Sequence, residues 1–171
     1  MGLLGETKPV KKPILGVSLY PEQETMKEIE NYLRMASRYG FTKIFTSMFS
    51  VPGTKEEVFD YFKNFCDLAH KHGMKVSGDC NTAFFKKMGA SESDISIFKE
   101  MGIDIIRMDL PYFDQRDVTL INNPYNITIE LSSCMIQAVR MALENGANPK
   151  NFSTCHNFYP ERYTASDLES I

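Results

Sequence analysis

Three times within residues 38–109 a helical stretch ends at a glycine and passes directly into a short apolar strand: RYGFTKIFTS at 38–47, KHGMKVSGD at 71–79 and EMGIDIIRMD at 100–109. Glycine enters the left-handed backbone region without a Cβ penalty, so Gly40, Gly73 and Gly102 are placed to close the helices before them. ENGANPKNFSTCH, with Gly146, is a looser fourth copy. A helix that turns straight into a strand, repeatedly, restricts the chain to alternating β and α elements, with helices as crossovers between parallel strands.

Start signals agree with these stops. Thr25-Met26-Lys27-Glu28 and Thr54-Lys55-Glu56-Glu57 both fit a capping box. Met26, Ile29, Leu33 and Ala36 then fall on one helical stripe, and Val58, Phe62, Phe65 and Ala69 on another, as core contacts. With ILGVSLY at 14–20 and NITIELS at 126–132 as further strands, the pattern predicts about six strands. Helices are predicted near 25–39, 54–72, 92–101 and 134–145, and LPYFDQRDVTLINNPY reads as a short helical turn plus loop.

Two α/β architectures fit, a doubly wound open sheet and a (β/α)8 barrel. No G-x-G-x-x-G follows the first strand and no G-x-x-x-x-G-K-[ST] occurs, which favours the TIM-type barrel. A whole barrel uses eight units and typically about 250 residues. The 171 residues here predict a barrel truncated after about six units, with an N-terminal extension at 1–13 and a partial barrel domain at 14–171. Sheet edges at strands one and six would then need cover, from a second copy of the chain or from a missing C-terminal half.

Charge narrows the partners. Nineteen basic and 22 acidic residues, net −3, are spread along the chain and leave no footprint for nucleic acid. No apolar run reaches the roughly 20 residues that span a bilayer, and MGLLGETKPVKK lacks the apolar core of a signal peptide, so a cytoplasmic location and no membrane partner are expected. Cys66, Cys80, Cys134 and Cys155 have no C-x-x-C spacing, which points to reduced thiols, and neither a metal nor a cofactor is expected.

A strand sends alternate side chains to opposite faces. One register holds Ser18 and Tyr20, Ser77 and Asp79, Arg107 and Asp109, Thr128 and Glu130, and Thr154 and His156. The other holds Val17 and Leu19, Ile106 and Met108, and Ile127, Ile129 and Leu131. The apolar register suits the helix side; the polar one points to the C-terminal mouth, where barrel enzymes keep their active sites. In the second strand, KIFTSM, either Thr46 or Ser47 could face inward.

Asp79, Asp109 and Glu130 are each expected to end a strand, gathering three carboxylates at one mouth. Crowded carboxyls raise one another's pKa, so one can keep a proton while another is ionised. That suits acid–base work on a glycosidic bond; it also suits a divalent metal, or structural pairing such as Asp109 with Arg107. Beyond strand six, His156 and Asn157 could bond sugar hydroxyls, Tyr159 offers a stacking face and Arg162 an anion contact. Lys43 and Lys75 begin strands, the wrong end for a Schiff-base lysine, and His70-Lys71-His72 reads as an exposed helix end rather than a metal site.

LGVSLYPE at 15–22, GFTKIFTS at 40–47, IRMD at 106–109, NNPYNITIELS at 122–132 and CHNFYPERYT at 155–164 together resemble the bacterial 6-phospho-N-acetylmuramidase family, some of whose members are called outer surface proteins. The resemblance implies a TIM-like barrel followed by a cyclophilin-like β domain. It also implies hydrolysis of N-acetylmuramic acid 6-phosphate linked to N-acetylglucosamine, in peptidoglycan recycling. Asp109 and Glu130 would carry the carboxylate chemistry; Asp79, Arg107, His156, Asn157, Tyr159 and Arg162 would bind substrate. The chain departs from the family pattern at Cys80-Asn81-Thr82, where Ser-Pro usually follows the aspartate, at Ser132, where Asn is common, and at Ala165, where Gly is usual. Two alternatives stand beside this one: a truncated, catalytically silent sugar-binding or assembly protein, and a metal-dependent isomerase or lyase using Asp79, Asp109 and Glu130.

Overall fold

The computed structural model describes residues 13–108, 115–132 and 136–155. Six strands, β1 (Gly16–Ser18), β2 (Lys43–Ser47), β3 (Lys75–Asp79), β4 (Ile105–Met108), β5 (Thr128–Ser132) and β6 (Phe152–Cys155), form one sheet in chain order. Every neighbouring pair is parallel. The connections carry a 3-10 turn (Pro21–Gln23) with α1 (Met26–Arg38), then α2 (Lys55–Lys71), α3 (Thr82–Lys87) with α4 (Ser96–Met101), α5 (Gln115–Ile121) and α6 (Ile136–Glu144). A doubly wound sheet reverses its strand order at a switch point; unbroken sequential order with parallel pairing is that of a TIM-barrel-like fold.

Both capping boxes form. The Thr25 amide donates to Glu28 Oε2 at 2.9 Å while the Glu28 amide returns to Thr25 Oγ1 at 3.4 Å. At α2 the corresponding Thr54 and Glu57 bonds are 2.7 and 3.2 Å. Gly40, Gly73, Gly102 and Gly146 all have positive φ, between 72° and 94°. The residue after each glycine returns its amide to the carbonyl five positions back: Phe41 to Ala36, Met74 to Ala69, Ile103 to Phe98 and Ala147 to Ala142. That 6→1 bond is the Schellman closure, and it aims the chain into the next strand.

The helix side of the sheet is the core. Ile44, Val76, Ile106 and Ile129 are fully excluded from solvent, as are Ile29 and Leu33 of α1 and Val58, Phe62, Phe65 and Ala69 of α2. Phe62 meets Phe65 and Phe84 edge-on, and Phe85 stacks on Phe98 with ring centroids 5.4 Å apart.

Two elements differ from the sequence expectation. The helix predicted near 92–101 starts only at Ser96, because Ser91 and Asp94 exchange backbone hydrogen bonds in a tight bridge and Asp94 Oδ1 takes the Ser96 amide. Before it, α3 was not anticipated; Asn81 caps it through the Phe84 amide at 2.8 Å, and Gly89 closes it with the same left-handed turn.

Candidate functional site

Register assembles a polar row on the side of the sheet away from the core. Ser47 lies opposite Asp79, Asp79 opposite Arg107, Arg107 opposite Glu130, and Glu130 opposite Ser153. Two residues earlier along the strands, Ser18, Phe45, Ser77, Ile105 and Thr128 form a second row on the same face. The second strand is thereby settled: Phe45 and Ser47 take the site face, and Thr46 joins Ile44 on the helix side. Arg107 confirms the face, since its guanidinium carbon lies 5.2 Å from the centroid of the Phe45 ring.

This face is concave. Lys43 Nζ of β2 lies 2.6 Å from Glu130 Oε2 of β5. Those strands are three positions apart, about 14 Å in a flat sheet, so the two side chains meet over the hollow.

Asp79 ends β3 and is half-buried beside Ser47 and Arg107. Arg107 donates from Nη2 to Ser132 Oγ at 3.1 Å. Glu130 corrects the strand-end expectation, because it is the third of the five residues of β5, buried, with Leu131 and Ser132 following it in the strand. Asp109, the expected second carboxylate, lies outside the described residues, as do His156, Asn157, Tyr159 and Arg162. Any pairing of Asp109 with Arg107 is outside them as well.

Three buried polar atoms on this face, Ser47 Oγ, Ser77 Oγ and Arg107 Nε, have no hydrogen-bond partner among the described residues. Each such atom costs about 1–3 kcal/mol when left unsatisfied, which is the condition that a polar ligand or bound water relieves. A hollow of about 460 Å³ opens beside Lys43, Lys75, Thr128, Glu130 and Ser153. Another of about 280 Å³ lies over the end of β3, lined by Asp79, Asn81, Thr82 and Met108.

Sequence reasoning missed Lys43, Phe45, Ser132 and Ser153 as parts of this face, and its register for β6 is corrected: Ser153 lies opposite Glu130, which puts Thr154, opposite Leu131, on the helix side. The available signal was spacing: Lys43, Phe45 and Ser47 alternate on one register, and Ser132 is two residues beyond Glu130. His72 is another correction, half-buried rather than exposed, with its carbonyl accepting from Ser37 Oγ at 2.8 Å. His70 remains exposed and contacts Asp104 Oδ2 at 2.8 Å. Among the described residues no three His, Cys, Asp or Glu side chains gather as metal ligands. Burial pushes the thiols of Cys66 and Cys80 up, with Asp104 near the first and Asp79 near the second adding to it.

The N-terminal model of the 6-phospho-N-acetylmuramidase family matches residues 15–171. The chain belongs to this family. Among solved structures, an uncharacterized B. cereus protein shares 33% identity at a TM-score of 0.70, over 90% of this chain and 41% of its own. A conserved Enterococcus faecalis protein of unknown function shares 20% identity at a TM-score of 0.70, over 92% of this chain and 44% of its own. The chain therefore spans about two fifths of the length of these two structures. A Thermobaculum terrenum O-GlcNAc hydrolase mutant is 12% identical at a TM-score of 0.50, covering 82% of this chain and 40% of its own, a likeness of fold alone. Comparison with curated proteins finds no match. The concave face carries Asp79, Arg107 and Glu130 in one row, on β3, β4 and β5.

Proposed function

We propose that this chain supplies the catalytic face of a glycoside hydrolase that cleaves N-acetylmuramic acid 6-phosphate from N-acetylglucosamine, in peptidoglycan recycling. The observation that carries the proposal is the family match over residues 15–171. The row of Asp79, Arg107 and Glu130 supports it, because it gathers charged side chains on the concave face, and most glycosidases work with one carboxyl group that protonates the leaving oxygen and a second that acts at the anomeric carbon. In this reading Asp109 and Glu130 divide the work. Glu130, held by Lys43 at 2.6 Å, takes the part of base or nucleophile. Asp109 is then the proton donor to the leaving oxygen. Asp79 and Arg107, with His156, Asn157, Tyr159 and Arg162, hold the phosphorylated sugar, and residues 14–171 act as the barrel-side domain of the enzyme. Among the described residues no helix is long and apolar enough to cross a membrane; a cytoplasmic working place is part of the proposal.

Turnover of the 6-phosphorylated disaccharide by the wild type and by Glu130→Gln tests it. A loss of about 100-fold or more in kcat is expected for the variant. One observation favours a second reading: an ion pair with Lys43 could make Glu130 architectural in a silent sugar-binding protein. Equal inactivity of both proteins, with sugar binding retained, would support that instead.

A further inference from the structure

We infer that Lys43 is the positioning residue that aims Glu130 at the substrate. The inference rests on the hydrolase role proposed for Glu130. Lys43 Nζ holds Oε2 at 2.6 Å, while no hydrogen bond to Oε1 occurs among the described residues. One carboxylate oxygen is therefore clamped and the other is left to the reacting centre. The side chains are 24% and 12% exposed, so solvent screens the contact weakly. The neighbouring cation does not compete, because Arg107 lies against Phe45 and donates to Ser132. Among the described residues Lys43 is the ion-pair partner of Glu130.

The root of the clamp is rigid. Lys43 sits within the ladder, opposite Gly16 of β1 and Lys75 of β3. By register it stands four residues earlier than Ser47, the β2 member of the Glu130 row. Strands in a barrel tilt and stagger, so register rows climb relative to the barrel axis, and a residue early in one strand faces the middle of a strand across the hollow. A lysine at the start of β2 is thus at the height of the β5 carboxylate. A reactive group misplaced by about 1 Å can lose roughly 100-fold in rate, so a clamp of this kind acts on kcat more than on binding.

The test compares wild type, Lys43→Met, Lys43→Arg, Glu130→Gln and the Lys43→Met/Glu130→Gln double variant on the 6-phosphorylated disaccharide. Lys43→Met is expected to lower kcat about 10- to 100-fold with KM within about twofold. Lys43→Arg should recover most of the loss, and in the Glu130→Gln background Lys43→Met should change nothing further. Circular dichroism checks folding; if Lys43→Met does not fold, Lys43→Gln takes its place with the same expectation. Unchanged kcat, a rise in KM alone, or the same loss in both backgrounds would overturn the positioning role while leaving Glu130 its own. A Glu130→Gln variant as active as wild type would overturn the role of Glu130, and the inference with it.

Discussion

Gly78 stands at the tightest approach between β3 and its surroundings. A Cβ there would collide with Met48 Sδ and come within 2.9 Å of Met48 Cγ, with Ile103 at 3.6 Å. The residue alternates with Ser77 and Asp79, so the backbone that presents the site face is held in place by a side with no room for a branched side chain. Gly78→Val should lower the unfolding free energy by about 1–3 kcal/mol in urea titration. Met48→Ala should return part of that loss if the collision is its cause; no recovery would point to β3 itself. Legibility at this scale is uneven. That Asp79, Arg107 and Glu130 share a face follows from alternation, which a sequence displays directly. That Lys43 reaches Glu130 does not, because the contact depends on curvature and stagger between strands 87 residues apart.

At the scale of elements, the helices are held by local chemistry at both ends. Thr54 and Glu57 satisfy each other's amides at the start of α2, and His72 and Gly73 close it against Leu68, Ala69 and His70. The Thr54 amide and hydroxyl hold the Glu57 carboxyl below its ordinary value of 4.5. A depressed folded-state value means that the stabilisation is complete above the unfolded value and is lost as pH falls through the folded one. Melting temperatures of wild type and Glu57→Gln should therefore differ most near pH 6 to 7 and converge below about pH 4. A gap that widens on acidification would contradict the box. Thr54→Ala should cost about 1 kcal/mol at neutral pH. These ends were readable because a cap needs only four or five consecutive residues. Helix α3 escaped notice for the opposite reason: TAFFKK is too short to show a period, and its burial through Phe84 and Phe85 comes from α4 and the core.

For the whole molecule, the repeated helix–glycine–strand unit carries the topology. Each unit hands the chain to the next parallel strand, and the six strands follow in order without a reversal. Sequence patterning could reach that far, since absent nucleotide motifs and alternating elements already favoured a barrel. It could not place the carboxylates by height, because pleat and stagger together decide which residues meet across the hollow. The site that results is a concave polar face with an ion-paired glutamate at its centre, in a chain of the 6-phospho-N-acetylmuramidase family. In the proposed function, water attacks the anomeric carbon of the muramic half at this face. Incubation of the chain with the 6-phosphorylated disaccharide in oxygen-18 water, with products weighed within the first minutes, tests this. The expected products are N-acetylmuramic acid 6-phosphate carrying one heavy oxygen and unlabelled N-acetylglucosamine. Heavy oxygen in the N-acetylglucosamine half, or intact disaccharide throughout, would contradict it.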